Sequence, residues 1–101
     1  MAVKILMSWD VAHGHEQEAY FEFVVRELLP GMQRLGLELS DAWVTMYGDH
    51  PQILISVVQP SAVKARQVMQ SADWKSLFNQ LQDFITNYSY KIVPARNGFQ
   101  F

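Results

Sequence analysis

The sequence contains no cysteine. Disulfides and thiolate chemistry are therefore excluded, and a metal would have to be held by histidine and carboxylate alone. Charge is also scarce: ten acidic and eight basic residues leave a net charge of −2. Such a balance has no basic excess to hold a phosphate backbone, so nucleic acid is not expected as a partner. Long apolar runs are missing too. Nothing approaches the roughly 20 apolar residues of a membrane span. The opening MAVKILMSWD is too short an apolar run for a signal peptide. No internal repeat, linker or low-complexity stretch interrupts the chain. The expectation is a cytoplasmic protein with no membrane partner.

What is present is apolar surface. Half of the 101 residues are hydrophobic, enough for one core and one domain spanning residues 1–101. A chain this short leaves much of its surface exposed, so a partner subunit would help it.

Periodicity divides the chain into elements. VKILMSW, Val3 to Trp9, alternates, with Val3, Ile5, Met7 and Trp9 on one face and Lys4, Leu6 and Ser8 on the other. From His15 the period becomes helical, through Phe21, Val24, Val25, Leu28, Met32 and Leu35. Pro30-Gly31 predicts a kink or break in that helix, and Gly36 predicts its C-terminal stop. A second strand follows, in which Trp43, Thr45 and Tyr47 alternate against Ala42, Val44 and Met46. GDHP, residues 48–51, reads as a turn, and QILISVVQ as a third strand completing a hairpin.

Ala62, Ala65, Val68 and Met69 mark a further helix, and SADW breaks it, with Ser71 or Asp73 as the next cap. Trp74, Leu77, Phe78, Leu81, Phe84 and Ile85 give the cleanest helical period. YSYKIV, Tyr88 to Val93, is the fourth strand, ended by Pro94 and followed by the tail ARNGFQF. The order β-α-β-β-α-β is a ferredoxin-like α+β fold: a four-stranded antiparallel sheet with helices on one face. Right-handed crossovers put strand three between one and two, and strand four outside strand one. Apolar residues on both faces of strands two and three call for a cover on the second face, and a second copy of the sheet is the simplest one. Phe99 and Phe101 in the tail would add to that contact.

Gly14 before the first helix, YGDHPQIL at the hairpin and SADWKSLFNQL in the second helical region carry a resemblance to the dimeric α/β-barrel superfamily. It includes the cofactor-free monooxygenases of antibiotic biosynthesis, haem-degrading monooxygenases and many small proteins without an assigned activity. The resemblance covers nearly the whole chain and lies in layout more than in signature. It implies a homodimer whose two sheets pack face to face, and a pocket between sheet and helices on each subunit. The chain departs from the haem-degrading branch, which places an iron-ligating histidine further along the helix that here begins near Trp74. Residues 75–86 hold no histidine, and Ser8 stands about where that branch has an asparagine. Haem is therefore not expected, nor any other cofactor.

Two constellations could carry chemistry. His13 and His15 flank Gly14, and the hairpin places His50 at the same end of the sheet, with Asp10 and Asp49 nearby. One reading is a divalent metal or an acid–base site; the other is loop histidines at the start of a helix. A spacing of two with a glycine between makes no local chelate, so no metal is expected.

The richer signal is aromatic: Tyr20, Trp43, Tyr47, Trp74, Tyr88 and Tyr90. Each pairs a flat apolar body with one polar group, as a pocket for a planar molecule would. Pocket candidates are Ser8, Tyr20, Trp43, Thr45, Tyr47, Trp74, Phe78 and Tyr90, with Ser56 and Asn79 as further polar contacts. Arg26, Arg66 or Lys91 could hold an anion there. The bland alternative is that Trp74 and Phe78 are core and Tyr20 covers the sheet. No nucleophile–base–orienter set and no phosphate loop is visible. The function expected is a small-molecule enzyme resembling cofactor-free monooxygenases, acting on a planar aromatic or quinol-like substrate. The alternative is a non-catalytic dimeric binding protein for a small aromatic ligand.

Overall fold

The computed structural model describes residues 1–12, 16–47 and 50–95. Strand β1 (Val3–Val11) leads to helix α1 (Glu16–Phe23). A π-helical stretch (Val24–Leu28) then runs directly into α2 (Leu29–Arg34). Strands β2 (Glu38–Tyr47) and β3 (His50–Gln59) form the hairpin. Helices α3 (Ala62–Met69) and α4 (Ala72–Leu81) precede β4 (Ile85–Pro94). The sheet order is β2-β3-β1-β4, with every neighbouring pair antiparallel. This is the ferredoxin-like arrangement that the element order and crossover handedness require. No helix among the described residues is long and apolar enough to cross a membrane.

Strand β1 is the axis of the fold because it pairs on both sides. Its alternating residues Val3, Ile5, Met7, Trp9 and Val11 are all buried; the first four face Gln59, Val57, Ile55 and Ile53 of β3, and Val11 faces Ile85 of β4. Tyr20, Phe23, Leu28, Met32, Ala65, Met69, Trp74, Leu77 and Leu81 close over them from the helices. Removing each large apolar side chain from water contributes about 1.5–3 kcal/mol, and this one layer collects most of that gain. The opposite face of β1 carries Lys4, Leu6, Ser8 and Asp10, and among the described residues no helix lies over it.

The first helix does not break at Pro30. Proline lacks the N–H for an α-helical bond and its ring crowds the carbonyl four residues back. The chain relieves this one turn earlier, where Leu29 N–H bonds to the Val24 carbonyl, five residues back. The wider π-turn lets the helix continue to Arg34. Gly31 is not a breaker either. It is buried, and a Cβ there would lie 2.8 Å from Leu77 Cδ2, so its small size lets α2 approach α4.

Gly36 ends the helix as the sequence implied. Its φ is +77°, and the bonds Gly36 N–H to Gln33 O and Leu37 N–H to Met32 O close a Schellman turn. The Gly36 carbonyl then accepts from Gln59 Nε2 at 2.8 Å, which fixes the helix end to β3. Ser61 and Ser71 cap α3 and α4 by accepting from Lys64 N–H and Trp74 N–H. Of the two caps the sequence offered for α4, Ser71 is the one used.

Three boundaries differ from expectation, the first at β1, which runs on past Trp9 to Val11. The hairpin strands run on until Tyr47 pairs with His50, so His50 and Pro51 belong to β3 and not to the turn. Helix α4 stops at Leu81; Phe84 lies in a turn and Ile85 opens β4, opposite Val11. Both residues keep their contact with the core, which is why the apolar spacing ran past the helix. The tail contact at Phe99 and Phe101 lies outside the described residues.

Replacing Gly36 with alanine should destabilise the fold by about 1–2 kcal/mol, the cost of a left-handed conformation for an L-residue. Nothing lies within 4 Å of the new Cβ, so the loss would be purely one of backbone conformation. Urea unfolding of the Gly36→Ala variant checks this, and an unchanged midpoint would refute it.

Candidate functional site

Aromatic side chains form a row between sheet and helices. Alternation on β1 turns Trp9 inward, and alternation on β4 does the same for Tyr88 and Tyr90. Helical spacing on α4 places Trp74 and Phe78 one turn apart on the inner face. The rings then meet in sequence. Trp74 and Phe78 stack with centroids 6.0 Å apart, and Phe78 meets Tyr88 at 4.5 Å. Tyr88 stacks on Trp9 at 6.1 Å and lies 6.2 Å from Tyr90. Exposure rises along the row, from 2% at Trp9 to 49% at Tyr90.

The polar ends of these rings differ. Trp9 Nε1 donates to the Tyr20 hydroxyl at 3.0 Å, a buried bond that joins β1 to α1. The Tyr88 hydroxyl is buried and has no hydrogen-bond partner. Burial pushes the Tyr20 phenol up from its ordinary pKa, partly offset by the bond from Trp9. Burial pushes Tyr88 up much further, reinforced by Tyr90 beside it. Both tyrosines are therefore neutral near pH 7, and each can offer an O–H but no phenolate base.

The residues anticipated from sequence divide between the two faces of the sheet. Tyr20, Trp74, Phe78 and Tyr90 lie on the helix side and belong to or border the row. Ser8, Trp43 and Thr45 lie on the opposite side, because Ser8 faces Leu54, Leu54 faces Trp43, and Thr45 faces Gln52. Of Tyr47 only the backbone is described, as the end of β2. The sheet stands between the two groups, except that Tyr90, on the edge strand β4, also borders a hollow with Ser8.

Ser8 shares a hollow of about 360 Å³ on that open face with Leu6, Leu54, Ser89, Tyr90 and Lys91, and its hydroxyl lies 3.1 Å from that of Ser89. Ser56 is buried under Ser40, which donates to it at 3.0 Å, and Asn79 is exposed on α4. The three cations do not reach the row. Arg26 is exposed and paired with Glu22, Arg66 is exposed on α3, and Lys91 lines the open-face hollow.

Trp9 was legible as core but not as part of the site. The available signal was chemical: an inward-facing tryptophan needs an acceptor for its N–H, and Tyr20 is the first hydroxyl on the following helix.

His13, His15 and Asp49 lie outside the described residues. The backbone of His50 opens β3 at the sheet end where β1 finishes, two residues before Gln52, which faces Asp10. Asp10 accepts a hydrogen bond from Asn87 Nδ2 at 2.8 Å. Among the described residues no three histidine or carboxylate side chains converge as metal ligands.

The fold has solved counterparts at low sequence identity. A NIPSNAP family protein from Agrobacterium tumefaciens superimposes with a TM-score of 0.70 at 17% identity, over 96% of this chain and 95% of that one. An uncharacterized NIPSNAP-like domain protein from Burkholderia xenovorans gives 0.68 at 12%, over 98% of this chain and 89% of that one. SnoaB, a cofactor-independent oxygenase from Streptomyces nogalater, gives 0.65 at 15%, over 96% and 95%. No protein-family model and no curated protein sequence matches the chain. The likeness confirms the ferredoxin-like fold expected from the sequence.

The two raised tyrosines make stability depend on alkaline pH. A group whose native pKa lies above its unfolded value of 10.0 contributes fully below pH 10 and loses that contribution as pH rises towards the native value. Each tyrosine should then remove up to about 1.4 kcal/mol per pH unit above pH 10. In urea unfolding at pH 7, 10 and 11, Tyr88→Phe should lose less stability with pH than the wild type. Equal losses in the two proteins would refute the assignment.

Proposed function

We propose that the chain is a small-molecule enzyme of the cofactor-free monooxygenase type. It would act on a planar aromatic or quinol-like substrate held between the sheet and the helices. One observation carries this reading: the row of Trp74, Phe78, Tyr88 and Trp9, which offers flat apolar surfaces, the two indoles buried and Phe78 and Tyr88 half-buried. The structural likeness to SnoaB, a cofactor-independent oxygenase, supports the same class. In such a reaction the substrate supplies the electrons that dioxygen accepts. One oxygen atom enters the substrate, and the other leaves as water with two substrate hydrogens. The protein's share is to hold the ring system, exclude water and supply hydrogen bonds.

The working unit in this reading is a homodimer with the open sheet faces together. Val58 on that face is 37% exposed, and Leu54 and Trp43 beside it are half-buried. An open antiparallel face carrying such residues gains from a cover.

A second reading has its own support. Among the described residues the row contains no group that can act as a base near neutral pH, since Tyr20 and Tyr88 both stay protonated. Binding without catalysis would need none.

Oxygen consumption with a panel of quinols separates the two. Uptake that depends on the protein and saturates with substrate is the expected outcome; binding without uptake would favour the second reading. Sedimentation at micromolar concentration should give a dimer, and a monomer would remove the face-to-face assembly.

A further inference from the structure

We propose that the Tyr88 hydroxyl is the donor that recognises a neutral oxygen acceptor, of the quinone-carbonyl class, on a planar ligand. This rests on the proposed site between sheet and helices but not on its catalysing a reaction.

The argument starts from an unfilled need. Among the described residues Tyr88 Oη is the buried side-chain polar atom without a partner. Other buried or half-buried polar side chains of the fold are satisfied. The Trp9 indole has Tyr20, Ser71 Oγ has the Val68 carbonyl at 2.7 Å, and the buried Gln59 amide has the Gly36 carbonyl. A buried hydroxyl left unpaired works against folding, and phenylalanine would fill the same space without that loss. A tyrosine here is thus accounted for by something that accepts its hydrogen bond.

The surroundings restrict what that acceptor is. The Tyr88 ring is flanked by Trp9 and Phe78, so a molecule reaching its hydroxyl meets aromatic surface and is itself best flat. Arg26, Arg66 and Lys91 lie elsewhere, so an anion brought to this place would find none of them as a counter-ion. Burial and the adjacent Tyr90 keep the hydroxyl protonated, so it gives a hydrogen bond. A carbonyl oxygen on a fused ring meets all three conditions. Access is from the Tyr90 end, where the row reaches solvent and a half-exposed side chain can change rotamer quickly.

The test compares two probes of one shape, 1,4-naphthoquinone and naphthalene, by calorimetric titration of wild type and Tyr88→Phe. The wild type should bind the quinone about three- to tenfold more tightly than the hydrocarbon, the worth of one hydrogen bond. Tyr88→Phe should lose that preference, leave naphthalene affinity unchanged and melt no lower than the wild type. A merely structural role would shift both probes alike. The proposal is overturned if the wild type binds neither probe, shows no preference, or keeps its preference in the variant. Preference without oxygen uptake from quinols would sink the catalytic reading alone; uptake with the preference unaffected by Tyr88→Phe would sink this one alone.

Discussion

The buried hydrogen bond from Trp9 to Tyr20 is the contact on which the arrangement turns. It joins the central strand to the first helix, in a place where neither group has water to fall back on. With that bond made, Trp9 lies flat enough for Tyr88 to stack on it, and Phe78 and Trp74 follow in order. β1 is suited to carry this residue because it is paired on both sides and its whole inner face is buried. A tryptophan on an edge strand would have no such fixed surroundings.

The helix layer is organised by two glycines and a proline that look alike in sequence and do different things. Pro30 is accommodated by a π-turn upstream, so its cost falls on helix geometry and not on continuity. Gly31 makes room for Leu77, and Gly36 supplies a positive φ. Gln59 then holds the end of that helix to β3, so the layer that roofs the aromatic row is fixed at both ends of its first helical run.

A site built this way is neutral. Its polar groups are an indole N–H and phenolic hydroxyls, and Arg26, Arg66 and Lys91 lie on other surfaces. Chemistry that suits it is one in which the ligand brings its own reactivity and the protein brings shape, dryness and hydrogen bonds. A likeness to a cofactor-independent oxygenase and to NIPSNAP proteins at 12–17% identity agrees on the fold and leaves the chemistry to the side chains.

The sequence by itself determined the element order, the strand order and which residues alternate along each strand. These follow from periods of 2 and 3.6 and from the handedness of crossovers, which are properties of the backbone and need no knowledge of neighbours. It also determined the stop at Gly36 and narrowed the α4 cap to Ser71 or Asp73, both matters of local bonds. Only the tertiary structure decided which aromatics meet. Trp43 and Tyr88 read alike as alternating ring residues, yet register puts one on the open face and the other against Trp9. The bulge that shifts β1 against β4 between Ser8 and Asp10, where Asn87 takes a positive φ, leaves no periodic trace in sequence. Nor does the length of α4, since Phe84 and Ile85 are apolar for contacts made after the helix has ended. Pairing partners are set by which surfaces remain to be buried once every element is in place, and that is a property of the whole chain.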